Sequence, residues 1–179
     1  TYDFSELDWQ FEKANAAGVD VSLAIGLRQP RWPECHMPDW AAKLPKDVWA
    51  GQLKAFMSAV IDRYGDNPAL TSYQLENEYF LKVFGICPDH SRDRLIDEYY
   101  FVKGLDEDTP VIISRSNNAI GTPINEPTPD LFAVSVYKRV WVPYVGRYVE
   151  YPFPAWFYAF LAGTEMIIKD RDTVIHELQ

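Results

Sequence analysis

Apolar, β-rich runs alternate along this chain with segments of helical spacing, and no feature narrows the choice of fold more. Val19–Leu27 (VDVSLAIGL), Leu70–Glu76, Pro110–Arg115 (PVIISR), Leu131–Tyr137 (LFAVSVY) and Asp172–Gln179 (DTVIHELQ) each read as a strand. The first is apolar at nearly every position, the pattern of a parallel strand buried on both faces. Between the runs, Asp47–Tyr64 carries Val48, Leu53, Phe56, Met57, Val60, Ile61 and Tyr64 as an amphipathic stripe, and Gly65 stops it. Asp89–Gly104 and Ala155–Lys169 also read as helices. At the start, Ser5 with Asp8 three positions later predicts a capped helix that Leu7, Phe11 and Ala14 continue and Gly18 ends. Strands alternating with helices build βαβ units and a parallel sheet. One link departs from the rhythm: between Arg115 and Leu131 lie Pro123, Pro127 and Pro129, so any helix there is short or absent. No repeat and no linker divides the chain, and residues 1–179 read as a single domain.

Composition excludes several partners. The chain has 179 residues, enough for a real core, and a formal net charge of −9. Nothing basic is gathered to neutralise a phosphate backbone, which argues against nucleic acid. The longest apolar-looking stretch, Val140–Gly163, contains Arg147, Glu150 and three prolines, so no membrane span is expected. Aromatic residues make up 15%, which suits a packed core or a stacking cleft. Cys35 and Cys87 are too distant for a CxxC motif. Each follows an adjacent strand, so free thiols and a bridge between two loops both fit. No leader is visible at Thr1, and extracellular or periplasmic work stands as an expectation without a signal to carry it.

In parallel α/β folds the functional loops follow the carboxyl ends of the strands. After the first run come Arg28, Trp32 and His36; after the second, Glu76, Asn77 and Glu78; after the third, Ser116, Asn117 and Asn118. After the fourth come Tyr137, Lys138, Arg139 and Trp141, and at the end of the last, His176, Glu177 and Gln179. Five apolar runs that each end in hydrogen-bonding groups predict one shared cleft.

At this point the residues carry a resemblance. The stretch Gln74–Phe80, QLENEYF, resembles the Asn-Glu motif that ends the fourth strand in the large clan of retaining glycoside hydrolases with (β/α)8 barrels, cellulase- and β-galactosidase-like. TVIHELQ is similar to the seventh-strand segment of that clan, YDFSELD to its loop after the second strand, and Pro30–Pro33 to its loop after the third. The resemblance implies an α/β fold, a partial TIM barrel covering strands three to seven, with strands one, two and eight lacking. It implies Glu78 as general acid/base and Glu177 as nucleophile. Asn77 would reach the sugar hydroxyl beside the reacting carbon, and Tyr137 would hold Glu177. Arg28, Trp32, His36, Asn117, Trp141 and His176 complete the expected substrate-binding set. A carbohydrate is the expected partner, and no cofactor is expected.

The chemistry needs one acid and one anion, because the glycosidic bond breaks through an oxocarbenium-like state. In retaining enzymes the two carboxyl groups lie about 5–5.5 Å apart. A nearby Glu177 charge would raise the pKa of Glu78. Strand alternation puts Glu76 on the same face as Glu78, so Glu76 is a rival acid or a buried partner of a base such as Arg28 or Arg115. His36, His90 and His176 lack metal-ligand spacing, and no metal is expected. Two other readings remain open: a sugar-binding barrel without turnover, and a metal-dependent barrel lyase or isomerase.

Overall fold

The computed structural model describes residues 1–31, 33–79, 85, 87–116, 127–142 and 144–178. Its elements, in chain order, are α1 (Ser5–Ala17), β1 (Val21–Ala24), α2 (Lys46–Tyr64), β2 (Leu70–Glu76), α3 (Arg92–Leu105), β3 (Val111–Ser116) and β4 (Leu131–Val136). A hairpin of β5 (Arg139–Val142) and β6 (Arg147–Glu150) follows, then α4 (Ala155–Lys169) and β7 (Thr173–Leu178). Five strands form one sheet in the order β1-β2-β3-β4-β7, and every pairing in it is parallel. The hairpin is a separate antiparallel pair for which the sequence analysis assigns no element.

The helices pack on one face of this sheet. Tyr73, Leu75, Val111, Ile113 and Phe132 meet Phe11 of α1, Met57, Val60, Ile61 and Tyr64 of α2, and Leu95, Tyr99 and Val102 of α3 in a single buried cluster. Burying such a side chain contributes about 1.5–3 kcal/mol. On the other face, Ser72 donates to Ser22 at 2.9 Å, and Gln74 donates to Ser114 at 3.1 Å. Large apolar groups toward the helices and small polar groups inward make a barrel wall rather than a doubly wound sheet. The fold is an arc of a (β/α)8 barrel.

Two expectations are corrected. β1 is half-buried rather than covered on both faces, because it lies at the sheet edge with only β2 beside it. Ser5 does not cap α1. The cap position belongs to Phe4, while the Ser5 N–H donates to Asp3 Oδ1 at 3.0 Å, and Asp8 instead binds Arg63 and Tyr64. Gly18 does end α1, in the left-handed region at φ 62°. Ser91 caps α3 by accepting the Arg94 N–H at 3.2 Å.

One close approach sets the geometry of the sheet edge. At Gly26, just past β1, a Cβ would lie 1.5 Å from the Leu75 carbonyl oxygen. Only glycine lets the two backbones meet there.

Candidate active site

The carboxyl end of β2 is built around a bulge. Gln74 stands opposite Ile112 and Glu76 opposite Ile113, so Leu75 and Glu76 share one partner. The extra residue turns Glu76 toward the helices. Its carboxylate accepts the Leu27 N–H at 2.8 Å and the Arg28 N–H at 3.0 Å, and it pairs with Arg94 at 3.3 Å. Arg94 also binds Glu98 at 2.9 Å. Glu76 therefore does take a buried basic partner, but that partner is Arg94, not the Arg28 or Arg115 guanidinium. Burial pushes both Glu76 and Glu98 up, most strongly Glu98, which also faces the Glu76 charge. Two buried carboxyl groups that share one guanidinium favour the protonated form of the pair, more strongly at Glu98.

Asn77 and Glu78 follow, and a compact network braces them. The Asn77 Oδ1 accepts from Gln74 Nε2 at 2.9 Å and from Ser114 Oγ at 2.9 Å. The Ser114 hydroxyl in turn accepts from Gln74 at 3.1 Å and from the Glu78 N–H at 2.9 Å. The Asn77 amide is thereby fixed with its oxygen anchored and its Nδ2 in one long contact, 3.4 Å, to Glu34. Glu78 sits at φ 41°, a left-handed conformation that costs a glutamate roughly 1–3 kcal/mol. It is almost completely buried. Strain of this kind persists only where the surroundings over-determine it.

Arg28 is the main brace. It is wholly buried. Its Nε donates to the Asn77 carbonyl at 2.9 Å, and the Asn77 N–H returns to the Arg28 carbonyl at 3.0 Å. One terminal nitrogen donates to the Gly85 carbonyl at 2.9 Å and meets His90 at 3.2 Å, and the other binds Glu34 at 3.1 Å. With its guanidinium bound by these groups, Arg28 stands behind the strand end and braces the Asn77 backbone. Cys35 and Cys87 form a disulfide, Cα–Cα 5.3 Å, joining the loop after β1 to the segment after β2. The bridge decides between the two readings of these cysteines.

The remaining candidates distribute along the same rim and beyond it. Glu177 is described by its strand position: it pairs with Ser135, and Leu178 pairs with Val136. The register skips His176, so a bulge sets Glu177 opposite Ser135. Tyr137 follows the last residue of β4. Because every strand of the sheet is parallel, Glu78 and Glu177 lie at one rim, on strands separated by β3 and β4. His36 is exposed and lines a hollow of about 830 Å³ with Tyr2, Phe4, Trp40, Trp49 and Phe56; Glu78 is not part of that lining. Trp141 lies on the hairpin, 53% exposed. Trp32 and Asn117 fall outside the described residues. No cluster of three metal-ligating side chains occurs among the described residues, and none of their helices is long and apolar enough to cross a membrane.

Sequence reasoning missed Ser114, Gln74, Arg94 and Glu98. A serine in the middle of the apolar run PVIISR was a visible signal, since an inward polar group in a buried strand needs a partner. Arg94 and Glu98, four apart on one helix, were another.

No family model matches the chain, and no curated protein does. Solved structures do. The fold is similar to that of a β-galactosidase from Rahnella sp. R3, with TM-score 0.55 and 12% identity over 77% of this chain and 32% of that one. It is similar to a xylanase from Paenibacillus barcinonensis, with TM-score 0.58 and 14% identity over 76% of this chain and 46% of that one. It is also similar to the GH53 catalytic domain of Ignisphaera aggregans, with TM-score 0.59 and 16% identity over 76% of this chain and 42% of that one. The chain spans a third to a half of the length of these neighbours. At such identities the likeness shows the fold, a partial (β/α)8 barrel, and these structural neighbours are glycoside hydrolases.

Proposed function

We propose that the protein carrying this chain hydrolyses O-glycosidic bonds in oligo- or polysaccharides by a retaining double displacement. The observation that carries the reading is the braced Asn77–Glu78 turn: a buried glutamate held at positive φ, at the rim where Glu177 is the last residue but one of its strand. The fold shared with glycoside hydrolases supports it. Glu177 attacks the anomeric carbon as the bond to the leaving oxygen breaks, and Glu78 gives that oxygen its proton. Glu78 then takes a proton from water, which attacks the same carbon and releases Glu177. Asn77 Nδ2 donates to the neighbouring sugar hydroxyl, and Tyr137 steadies Glu177. His176, Asn117, Trp32, His36 and Trp141 complete the substrate-binding set of this proposal. No cofactor is required. The Cys35–Cys87 bridge fits work in an oxidising compartment.

Glu78→Gln and Glu177→Gln, made in the intact protein, test the reading on aryl glycosides. Loss of the acid/base is expected to lower the rate about 10²–10⁴-fold. Wild-type rates in both variants would overturn it.

A further inference from the structure

We propose that the exposed face of the β5–β6 hairpin is a stacking platform for one pyranose ring of a glycan chain, away from the bond that is cut. The second half of that statement rests on the hydrolase reading; the platform itself does not. The hairpin stands at the carboxyl end of β4, before α4, and its base is closed by the Tyr151 N–H donating to the Lys138 carbonyl at 2.8 Å. In a barrel this is where substrate-facing loops grow.

Strand alternation gives the hairpin two unlike faces. Val140, Val142 and Val149 are half-buried, while Arg139, Trp141, Tyr148 and Glu150 are exposed. On the exposed face Trp141 lies directly across from Tyr148, and Arg139 across from Glu150. The two rings meet edge to face, centroids 5.3 Å apart and planes 71° apart, and each residue is 53% exposed. The Arg139 guanidinium stands over the Tyr148 ring, 5.0 Å from its centroid, and Glu150 is held by Lys138 at 2.9 Å. A steeply angled, half-exposed aromatic pair with a cation over one ring and a carboxylate beside it matches a pyranose. The sugar presents an apolar C–H face to the open aromatic surface and hydroxyls at its edge to both charged groups. A polyanion is disfavoured by the net charge of −9.

The placement also sets the substrate class. The hairpin springs from β4, and β2, which carries Glu78, is two strands away, roughly 10 Å along the sheet. A ligand touching both is longer than a single sugar.

Affinity electrophoresis of the intact protein through soluble xylan, galactan and β-glucan tests this. Wild type is expected to be retarded by at least one of them. Trp141→Ala and Tyr148→Ala should each weaken that binding roughly tenfold, equivalent to about 1.4 kcal/mol. Tyr148→Phe, which keeps the ring, should preserve it, and melting temperatures should stay near wild type. The proposal is overturned if no polysaccharide retards the wild type, or if Tyr148→Ala binds as wild type does. It is equally overturned if Tyr148→Ala lowers the melting temperature sharply, since the ring would then be packed by another part of the protein. Conversion of a dimer into monomers by Tyr148→Ala would make the face a self-association surface and overturn it too. The hydrolase reading is judged separately by Glu78→Gln: lost binding with intact turnover in Glu78→Gln spares the platform and sinks the hydrolase.

Discussion

The two ends of the sheet are held in different ways. Around β1, β2 and β3, three helices close over a continuous cluster of fully buried side chains, and strand ends are cross-braced by Arg28, Glu76, Arg94 and Ser114. Around β4 and β7 the buried cluster among the described residues holds Val134, Val136, Tyr158 and Ala162, and α4 presents Trp156, Phe160 and Ile167 exposed. The first end can hold a strained glutamate because its surroundings leave no alternative. The second end offers surface, and with it room for ligand contact.

Variants can break or sharpen this contrast. The largest effect is expected from Gly26→Ala. Its Cβ would meet backbone at 1.5 Å and force β1 off β2, so the chain should lose its cooperative thermal transition and near-ultraviolet dichroism. A wild-type melt would show that the two strands are looser than described. Next comes Arg94→Met, which leaves Glu76 buried with its cation gone and should cost about 3–5 kcal/mol in denaturant unfolding. Met57→Ala, at a fully buried position of the same cluster, should cost about 2–5 kcal/mol.

Glu98→Gln makes a subtler point. The folded Glu98 carboxyl holds its proton more tightly than the unfolded one, so its stabilising share is complete below the ordinary glutamate range, near about 4.3. That share is lost as pH climbs from there toward the raised folded value. Glutamine keeps the neutral form throughout. The variant should therefore flatten the alkaline fall of the melting temperature while leaving acid stability close to wild type. A parallel fall in both proteins would mean that Glu98 is ionised in the fold. The smallest effect belongs to the open end: Ile167→Ser, at an 80% exposed position, should change stability by no more than about 0.5 kcal/mol.

Much of the architecture was legible because it rests on local periodicity. β2 and α4 fall on the bounds read from the sequence, Leu70–Glu76 and Ala155–Lys169. The parallel order followed from alternation alone. The hairpin was not legible, since each of its strands is only four residues long and prolines break the segment around it. The site was legible in part: Asn77 and Glu78 were marked by carboxylates ending an apolar run. The duty of Glu76 was hidden because a bulge changes the facing of every residue after it without leaving a mark in the letters. The role of Arg28 was hidden for a related reason. A strand-end arginine looks the same whether it points to solvent or folds back on neighbouring carbonyls.

The doubled partner at Ile113 makes chain length, as much as side-chain chemistry, a constraint on this strand. Adding or removing one residue between Gln74 and Asn77 would disturb the surroundings of two acids that lie two residues apart. The Glu76 carboxyl would lose its Arg94 partner, and Glu78 would lose the Ser114 bond that holds its backbone. Drift in this segment can therefore proceed by substitution far more freely than by insertion or deletion.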